Sequence, residues 1–268
     1  MEGETWVIIV ILSILVALII AGMVIIFVYY QKMIQLYRLQ QNFINGFTHE
    51  LKTPIASLQL FLETFSKHDI PKEDFHRYLE FMKRDTKRLA ENVARILQLG
   101  KLEDKSFKAD FHFQDLVSLM QDFFSQTPHL FEEGEVVFHS EIKEAHLNVD
   151  RGLFEMLLMN LITNGFRYNK SEKKIVNVRF YKNKKKAFLD ITDNGIGIEK
   201  SEIKKIFRKF YQVGKTTKGS GLGLYIAQSI CRLHKIEIDA HSEGKGMGTT
   251  IRLSMPLKML WINDLPQE

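Results

Sequence analysis

Phe47-Thr48-His49-Glu50-Leu51-Lys52-Thr53-Pro54 sets a histidine beside a carboxylate inside an amphipathic helical pattern, with a threonine four residues on and a proline directly after it. On a helix, positions i, i+3 and i+4 share a face. His49, Lys52 and Thr53 therefore point the same way, and a group bound to the imidazole would sit near the lysine ammonium and the threonine hydroxyl. Glu50 is about 100° round the helix, but its side chain is long enough to reach back to the ring. Pro54 removes the helical hydrogen bond to the Glu50 carbonyl and is expected to bend the axis there. Taken alone, the stretch fits a surface histidine on a kinked helix equally well, so the flanking chain decides.

Upstream, Val7 to Tyr30 runs without a charged residue and is long enough to cross a bilayer as a helix. A cleaved signal peptide would need a basic start, a shorter apolar core and a small-residue cleavage site. Here the start carries Glu2 and Glu4 and no cleavage pattern follows. Lys32 and Arg38 lie beyond the run and nothing basic precedes it, which puts the C-terminal bulk in the cytoplasm of a single-pass protein of the inner (cytoplasmic) membrane. Trp6, Tyr29 and Tyr30 read as interface anchors. Residues 1–6 are then a short extracytoplasmic tail, too small for a ligand-binding domain. Any input is expected through the membrane helix (7–30), from lipid, from a membrane protein or from the cytoplasmic part.

Downstream, Ile55, Leu58, Leu62 and Phe65 keep helical spacing, Ser66 to Glu73 reads as a turn, and a second helix carries Phe75, Leu79, Met82, Leu89, Val93, Ile96 and Leu97 to about Gly100. One helical hairpin buries its apolar stripe poorly. Pairing two gives a four-helix bundle, so a homodimer is expected over residues 31–105. Residues 106–258 change texture. Ala109–Phe113, Glu135–His139, His146–Val149, Ile175–Tyr181, Lys186–Thr192, Ile236–His241 and Thr249–Met255 read as strands. Leu116–Phe124, Asp150–Tyr168, Ile203–Phe210 and Leu222–Leu233 read as helices. The fold class is thus α+β and multidomain. Residues 259–268, with Leu260, Trp261 and Ile262, form a tail to which no role is assigned.

Composition sets bounds. The 268 residues are 45% hydrophobic and 26% charged, as in a folded chain, and the single cysteine, Cys231, excludes a disulfide framework or a cysteine-based zinc cluster. The net charge of +5 suits an anionic membrane or a polyphosphate ligand; no nucleic acid is expected as a partner.

Four motifs carry possible chemistry. Asp193-Asn194-Gly195-Ile196-Gly197-Ile198 follows a strand: its glycines let the backbone approach a flat ligand, and its aspartate can accept from an exocyclic amine, although an ordinary Asn-Gly turn reads the same way. Lys218-Gly219-Ser220-Gly221-Leu222-Gly223-Leu224 opens a helix whose free N–H groups suit phosphates, a weak signal by itself. Asn160 and Asn164 share a helix face and could hold a hydrated magnesium ion, or simply be solvated amides. Gly214-Lys215-Thr216 imitates the end of a P-loop, but Lys209 stands where the first glycine is required, so Lys215 and Lys218 read instead as parts of a flexible lid. The basic turn Lys182 to Lys186 reads as a solvated hairpin tip.

In this order, from Phe47 to Pro256, the motifs resemble those of membrane-bound sensor histidine kinases of two-component systems. The His49 stretch resembles the H box, Asn160–Tyr168 the N box, Asp193–Ile198 the first glycine box, Ile206–Tyr211 the F box and Gly219–Leu224 the second glycine box. Gly246-Met247-Gly248-Thr249 with Met255-Pro256 resembles the final glycine box. The resemblance implies a dimerisation and phosphotransfer hairpin followed by a Bergerat (GHKL-type) α/β sandwich that binds ATP and Mg²⁺. It implies that His49 is the phosphoacceptor and Glu50 its base. Asn160, with Asn164, would bind Mg²⁺, and Arg167 and Tyr168 would lie near the phosphates and nucleoside. Asp193 would take the adenine amine and Gly195 and Gly197 would shape the pocket. Lys215, Gly219, Gly221, Leu222 and Gly223 would belong to the lid and its hinge, and Thr249 would sit near the adenine. The implied partner is the receiver domain of a cognate response regulator, and Thr53 is placed to orient water for dephosphorylating it. Two departures stand out: Gly165, where the family usually has alanine, and Lys209, where arginine or proline is common. A membrane-anchored ATP-binding scaffold without catalysis is the alternative; an ATPase or serine kinase of the same nucleotide fold would have no use for the His49 stretch.

Overall fold

The computed structural model describes residues 2–68, 70–104, 106–127, 134–213 and 221–264. They divide into two compact units, residues 1–49 and 50–268. The described residues of the first are all helical and belong to α1 (Glu2–Lys67). Its run from Val7 to Tyr30 leaves Ile8, Leu12, Leu15, Ile19 and Phe27 more than half exposed, an arrangement that water disfavours. Ser13, inside the run, donates its hydroxyl back to the Ile9 carbonyl at 2.8 Å. Among the described residues, one helix is long and apolar enough to cross a membrane.

The second unit begins with the rest of α1, which continues through Pro54, and with α2 (Lys72–Glu103). An aromatic ladder sets their mutual register: Phe65 meets Phe75 at 5.1 Å between ring centroids and Phe61 meets Tyr78 at 5.4 Å. Asp104 ends α2, its N–H returning to the Gly100 carbonyl at 3.1 Å and its carboxylate accepting from the Ser106 N–H and hydroxyl, each at 2.8 Å.

A five-stranded sheet follows, in the order β2-β4-β5-β7-β6: β2 (Glu135–Ser140), β4 (Ile175–Lys182), β5 (Lys186–Asp193), β7 (Thr249–Pro256) and β6 (Glu237–His241). Only β2 and β4 pair in parallel. Alternation does the sorting: Val176, Val178 and Phe180 on β4, Ala187, Leu189 and Ile191 on β5, and Ile251, Leu253 and Met255 on β7 turn inward. Onto β4 and β5 packs α4 (Arg151–Arg167), with Phe154, Leu157, Leu158, Leu161 and Ile162 all essentially buried. It is flanked by α3 (Leu116–Gln126) and α5 (Gly223–Leu233). Asp115 caps α3 through the Val117 and Ser118 N–H groups and Asp150 caps α4 through Leu153. Burial works against the Asp115 carboxylate, but donation from Ser118 and Ala145 outweighs it and holds the group below its usual range. Cys231 lies on the buried face of α5, where burial pushes its thiol up.

A second, three-stranded antiparallel sheet joins β1 (His112–Asp115), β3 (Ile142–Val149) and β8 (Trp261–Asp264). Here the structure departs from the sequence reading. Trp261 to Asp264, expected in a tail without a role, form β8 against β3. The first strand begins at His112 rather than Ala109, and β3 starts four residues earlier than expected, at Ile142. Ile203–Phe210, expected as a helix, is a chain of tight turns: Lys205 N–H to the Glu202 carbonyl (2.7 Å), Arg208 to Lys205 (2.9 Å) and Tyr211 to Arg208 (3.1 Å). Phe210 closes it in the left-handed region, at φ 66°.

Candidate active site

The α4 face that carries Asn164, Gly165 and Tyr168 forms one wall of a cavity between helix and sheet. The ends of β5 and β7 (Ile191, Asp193, Thr249, Ile251) form its floor, Ile196, Gly197 and Ile198 one rim, and Ile206, Tyr211, Gln212, Val213 and Leu224 the other. Strand register explains the floor. Val176, Asp193 and Thr249 are cross-strand partners in one row over β4, β5 and β7, so Asp193 reaches the cavity beside Thr249. Burial pushes the Asp193 carboxyl up, and the N–H groups of Gly195 and Thr249 offset part of that. The Gly195 N–H lies 2.8 Å from Asp193 Oδ1. A half-buried carboxylate that still has accepting capacity, set among isoleucines, suits a flat apolar ligand with one exocyclic amine.

Two loops hold the rim by interlocking backbones. The Gly246 N–H donates to the Ile196 carbonyl at 2.7 Å and the Gly248 N–H to that of Gly195 at 3.1 Å. A Cβ on Gly248 (φ 68°) would lie 2.1 Å from the Asp193 carbonyl oxygen, and one on Gly197 (φ 66°) 2.0 Å from that of Gly244. Ser242, which the sequence did not single out, bolts the loops together: its hydroxyl donates to the Gly248 carbonyl at 2.7 Å and accepts the Ile198 N–H at 3.0 Å. Asn194 is a second such bolt. Its Oδ1 accepts from the Asn169 amide and from the Ile175 N–H (2.9 Å), and its Nδ2 donates to the Lys173 carbonyl (2.9 Å).

Beyond the other rim, α5 begins at Gly223 with no side-chain cap from Leu222, so its first N–H groups face the cavity edge as a ready site for an anion. Gly223 in its first turn sits against α4: a Cβ there would lie 3.2 Å from Asn164 Nδ2 and 3.4 Å from Asn160 Oδ1. Asn160 spends its Nδ2 on the Met156 carbonyl at 2.9 Å, so its amide oxygen is the atom turned to α5. Amide oxygens beside the N–H groups of a helix start fit a hard, hydrated divalent cation carried on phosphates. No cluster of three or more His, Cys, Asp or Glu with metal-ligand geometry occurs among the described residues. Leu222 is fully buried as the anchor of this turn, and a Cβ on Gly221 (φ 67°) would lie 2.7 Å from the Phe210 carbonyl carbon. Tyr211 donates to the Glu202 carboxylate; burial, then that carboxylate, push its hydroxyl up to about 12.

The structure thus gathers Asn164, Tyr168, Asp193, Gly197 and Thr249 at the cavity, with Gly195 behind Asp193 and with Asn160, Gly221, Leu222 and Gly223 just beyond its edge. Arg167 is exposed at the end of α4 and does not line the cavity. Lys215 and Gly219 lie outside the described residues. His49, Glu50 and Thr53 stand on α1, His49 and Thr53 exposed and Glu50 half-buried. Within the second unit, the Glu50 charge reaches the Tyr168 hydroxyl. Burial chiefly raises that group, Arg167 lowers it and Glu50 raises it further.

A family model for the His Kinase A (phospho-acceptor) domain matches residues 39–105, and one for the histidine kinase-, DNA gyrase B-, and HSP90-like ATPase matches residues 149–259. Sensor histidine kinase WalK of Bacillus subtilis is 29% identical over 229 residues, 82% of this chain and 37% of the relative. Sensor protein RprX of Bacteroides fragilis is 30% identical over 232 residues, 83% of this chain and 44% of the relative. The chain therefore spans less than half the length of these relatives. Among solved structures, Acinetobacter baumannii histidine kinase AdeS superposes with a TM-score of 0.60 at 20% identity, over 78% of this chain and 97% of that one. Histidine kinase ThkA, solved in complex with response regulator protein TrrA, gives 0.60 at 20%, over 78% and 59%. At that identity the likeness bears on the fold alone. The matched domains account for both the hairpin and the nucleotide-type cavity, and the ATPase domain implies ATP binding: the chain belongs to the sensor histidine kinase family.

Proposed function

We propose that the protein is an ATP-dependent protein-histidine kinase that phosphorylates itself on His49 and passes the phosphoryl group to an aspartate of a separate response regulator. The observation that carries this reading is the row Val176–Asp193–Thr249 under interlocked glycine loops, next to an uncapped helix N-terminus, in a chain that also bears His49-Glu50. The domain limits are those expected above: a membrane helix over 7–30, a dimeric hairpin over 31–105 and an ATP domain over 106–258. The catalytic part faces the cytoplasm.

Asp193 accepts from the adenine amine while Ile196, Ile198 and Ile251 cover the ring. The first N–H groups of α5 take the phosphates, with Lys215 and Gly219 in the loop before it and Arg167 nearby. Asn160, with Asn164, is the site for Mg²⁺, which supplies charge neutralisation on the phosphates when bound. A ring nitrogen of His49 then attacks the γ-phosphorus in line. An N–P bond forms as the P–O bond to ADP breaks, and Glu50 takes the proton from the other ring nitrogen. Incubating the protein with γ-labelled ATP should give an acid-labile, base-stable label that vanishes in His49→Gln. An unlabelled wild type would refute the kinase and leave the ATP-binding scaffold. Thr53 orients water against a phosphoaspartate on the docked regulator. Thr53→Ala should keep autophosphorylation and slow regulator dephosphorylation, and an unchanged dephosphorylation rate would remove Thr53 from that role.

A further inference from the structure

Lys209 departs from its family's usual residue, and the structure gives it a partner outside the nucleotide domain. Its Nζ lies 2.6 Å and 2.8 Å from the two carboxylate oxygens of Glu103, the last residue of α2. The same carboxylate accepts the Tyr225 hydroxyl at 3.2 Å. The lysine is held from the sides as well, 5.0 Å from the centroid of the Phe210 ring and 5.9 Å from that of Tyr225. One side chain of the hairpin thus grips two separate stretches of the nucleotide domain. Each stretch leads straight into the cavity: Tyr211, Gln212 and Val213 follow Lys209, and Leu224 precedes Tyr225. The two stretches are also tied to each other, because the Phe210 N–H donates to the Gly221 carbonyl at 3.0 Å.

The grip has a defined base. Leu99, four residues before Glu103 and so on the same face of α2, is buried, and α2 packs against α5 there. Asp104 fixes the helix end immediately beyond. A carboxylate on a fixed helix end that meets an ammonium with both oxygens and a phenol with one is better organised than an ordinary surface pair.

We propose that Glu103 is a positioning residue for phosphoryl transfer: through Lys209 and Tyr225 it fastens the rim of the nucleotide cavity to the C-terminal turn of the phosphotransfer hairpin. A change in the hairpin is then felt at the cavity rim, and the rim is held at a set place on the hairpin during transfer. The reaction itself uses neither Glu103 nor Lys209, so the effect falls on the rate with bound ATP and leaves ATP affinity alone. This inference rests on the kinase reading above.

The test uses the full chain in lipid nanodiscs, initial rates of His49 labelling at saturating ATP, and a fluorescent ATP analogue for affinity. Glu103→Gln and Lys209→Met should each lower the labelling rate roughly two- to fivefold with analogue affinity within about twofold of wild type. Glu103→Lys and Lys209→Glu should each lose more, and the exchanged double variant should recover most of the loss, because the pair and not either residue alone sets the rate; the unchanged analogue affinity separates this from general damage to the nucleotide domain. Wild-type labelling with Glu103→Gln equally fast or faster, an affinity loss that accounts for the slower rate, or an exchanged variant no faster than the worse single one would overturn the proposal and leave the kinase intact. A wild type without label would overturn both.

Discussion

Replacing Gly165 by alanine tests the packing of the cavity wall. In a helix interior, alanine is favoured over glycine by about 1 kcal/mol. At Gly165 that gain meets a specific obstacle: the new Cβ would lie 2.9 Å from Val176 Cγ2 and 3.3 Å from Asp193 Cβ. Carbon atoms prefer about 3.5–4.0 Å, so the first contact is short by at least ~0.6 Å. Val176 is fully buried on β4, between β2 and β5, and β-branching gives its side chain little rotamer freedom. Overpacking of this kind costs about 1–3 kcal/mol. The net expectation is a loss of roughly 0–2 kcal/mol, seen as a fall in Tm of ~2–4 °C for each kcal/mol. ATP affinity should fall with it, because Asp193 is the second atom struck. The assay is thermal unfolding of Gly165→Ala, Val176→Ala and the double variant. Removing the valine methyls makes room, so the cycle should show a favourable coupling of about 1 kcal/mol or more. If Gly165→Ala raises Tm as an exposed helical glycine would, with no coupling to Val176, the close approach of α4 to the sheet is refuted.

Gly248→Ala should reduce nucleotide affinity at least about tenfold, since its Cβ would fall 2.1 Å from the Asp193 carbonyl oxygen at a φ of 68°; unchanged binding in a fluorescent-nucleotide titration would count against the interlocked rim. Stability should also fall on acidification through His234. This side chain is buried at the C-cap of α5, facing the α4 cap residue Asp150 and the rings of Phe111 and Phe154. Nδ1 meets the Ile230 carbonyl at 2.9 Å and the Asp150 N–H donates to Nε2 at 3.1 Å, so a proton on Nε2 would confront a donor. Burial lowers its pKa below the usual 6.5. The unfolded chain therefore takes up a proton first as pH drops below about 6.5, and stability is lost from there down to the folded value. Thermal unfolding between pH 7.5 and 5.5 should show a shallower loss in His234→Gln than in wild type; equal slopes would remove His234 from the account.

The elements that were legible in the sequence are those governed by local periodicity. The alternation Val176, Val178, Phe180 and the run through Leu157 and Leu161 announce β4 and α4, and the glycines of the loops announce places where a backbone must pass close to another. Three features were not legible, each for a physical reason. The strand β8 is four residues, half of them polar, and exists because β3, more than a hundred residues earlier, offers an edge. Ile203–Phe210 has helical spacing of apolar residues, but Ile206 and Phe207 are buried from a chain of tight turns that a left-handed Phe210 brings to a close. Ser242, Asn194 and Glu103 act through partners remote in sequence, and a single polar residue carries no period by which to find them.

The burial of Cys231 has a practical side. Its thiol is sealed into the inner face of α5 and disfavours the thiolate, which is the form that alkylates or exchanges disulfides. As this is the single cysteine of these 268 residues, the chain already serves as an unreactive background for labelling chemistry. A cysteine introduced at an exposed position of α1, such as Lys52 or Ile55, would be modified selectively without first engineering the native thiol away. Spin labels or crosslinkers set along that helix could then follow its movement, with the core of the nucleotide domain left as it is.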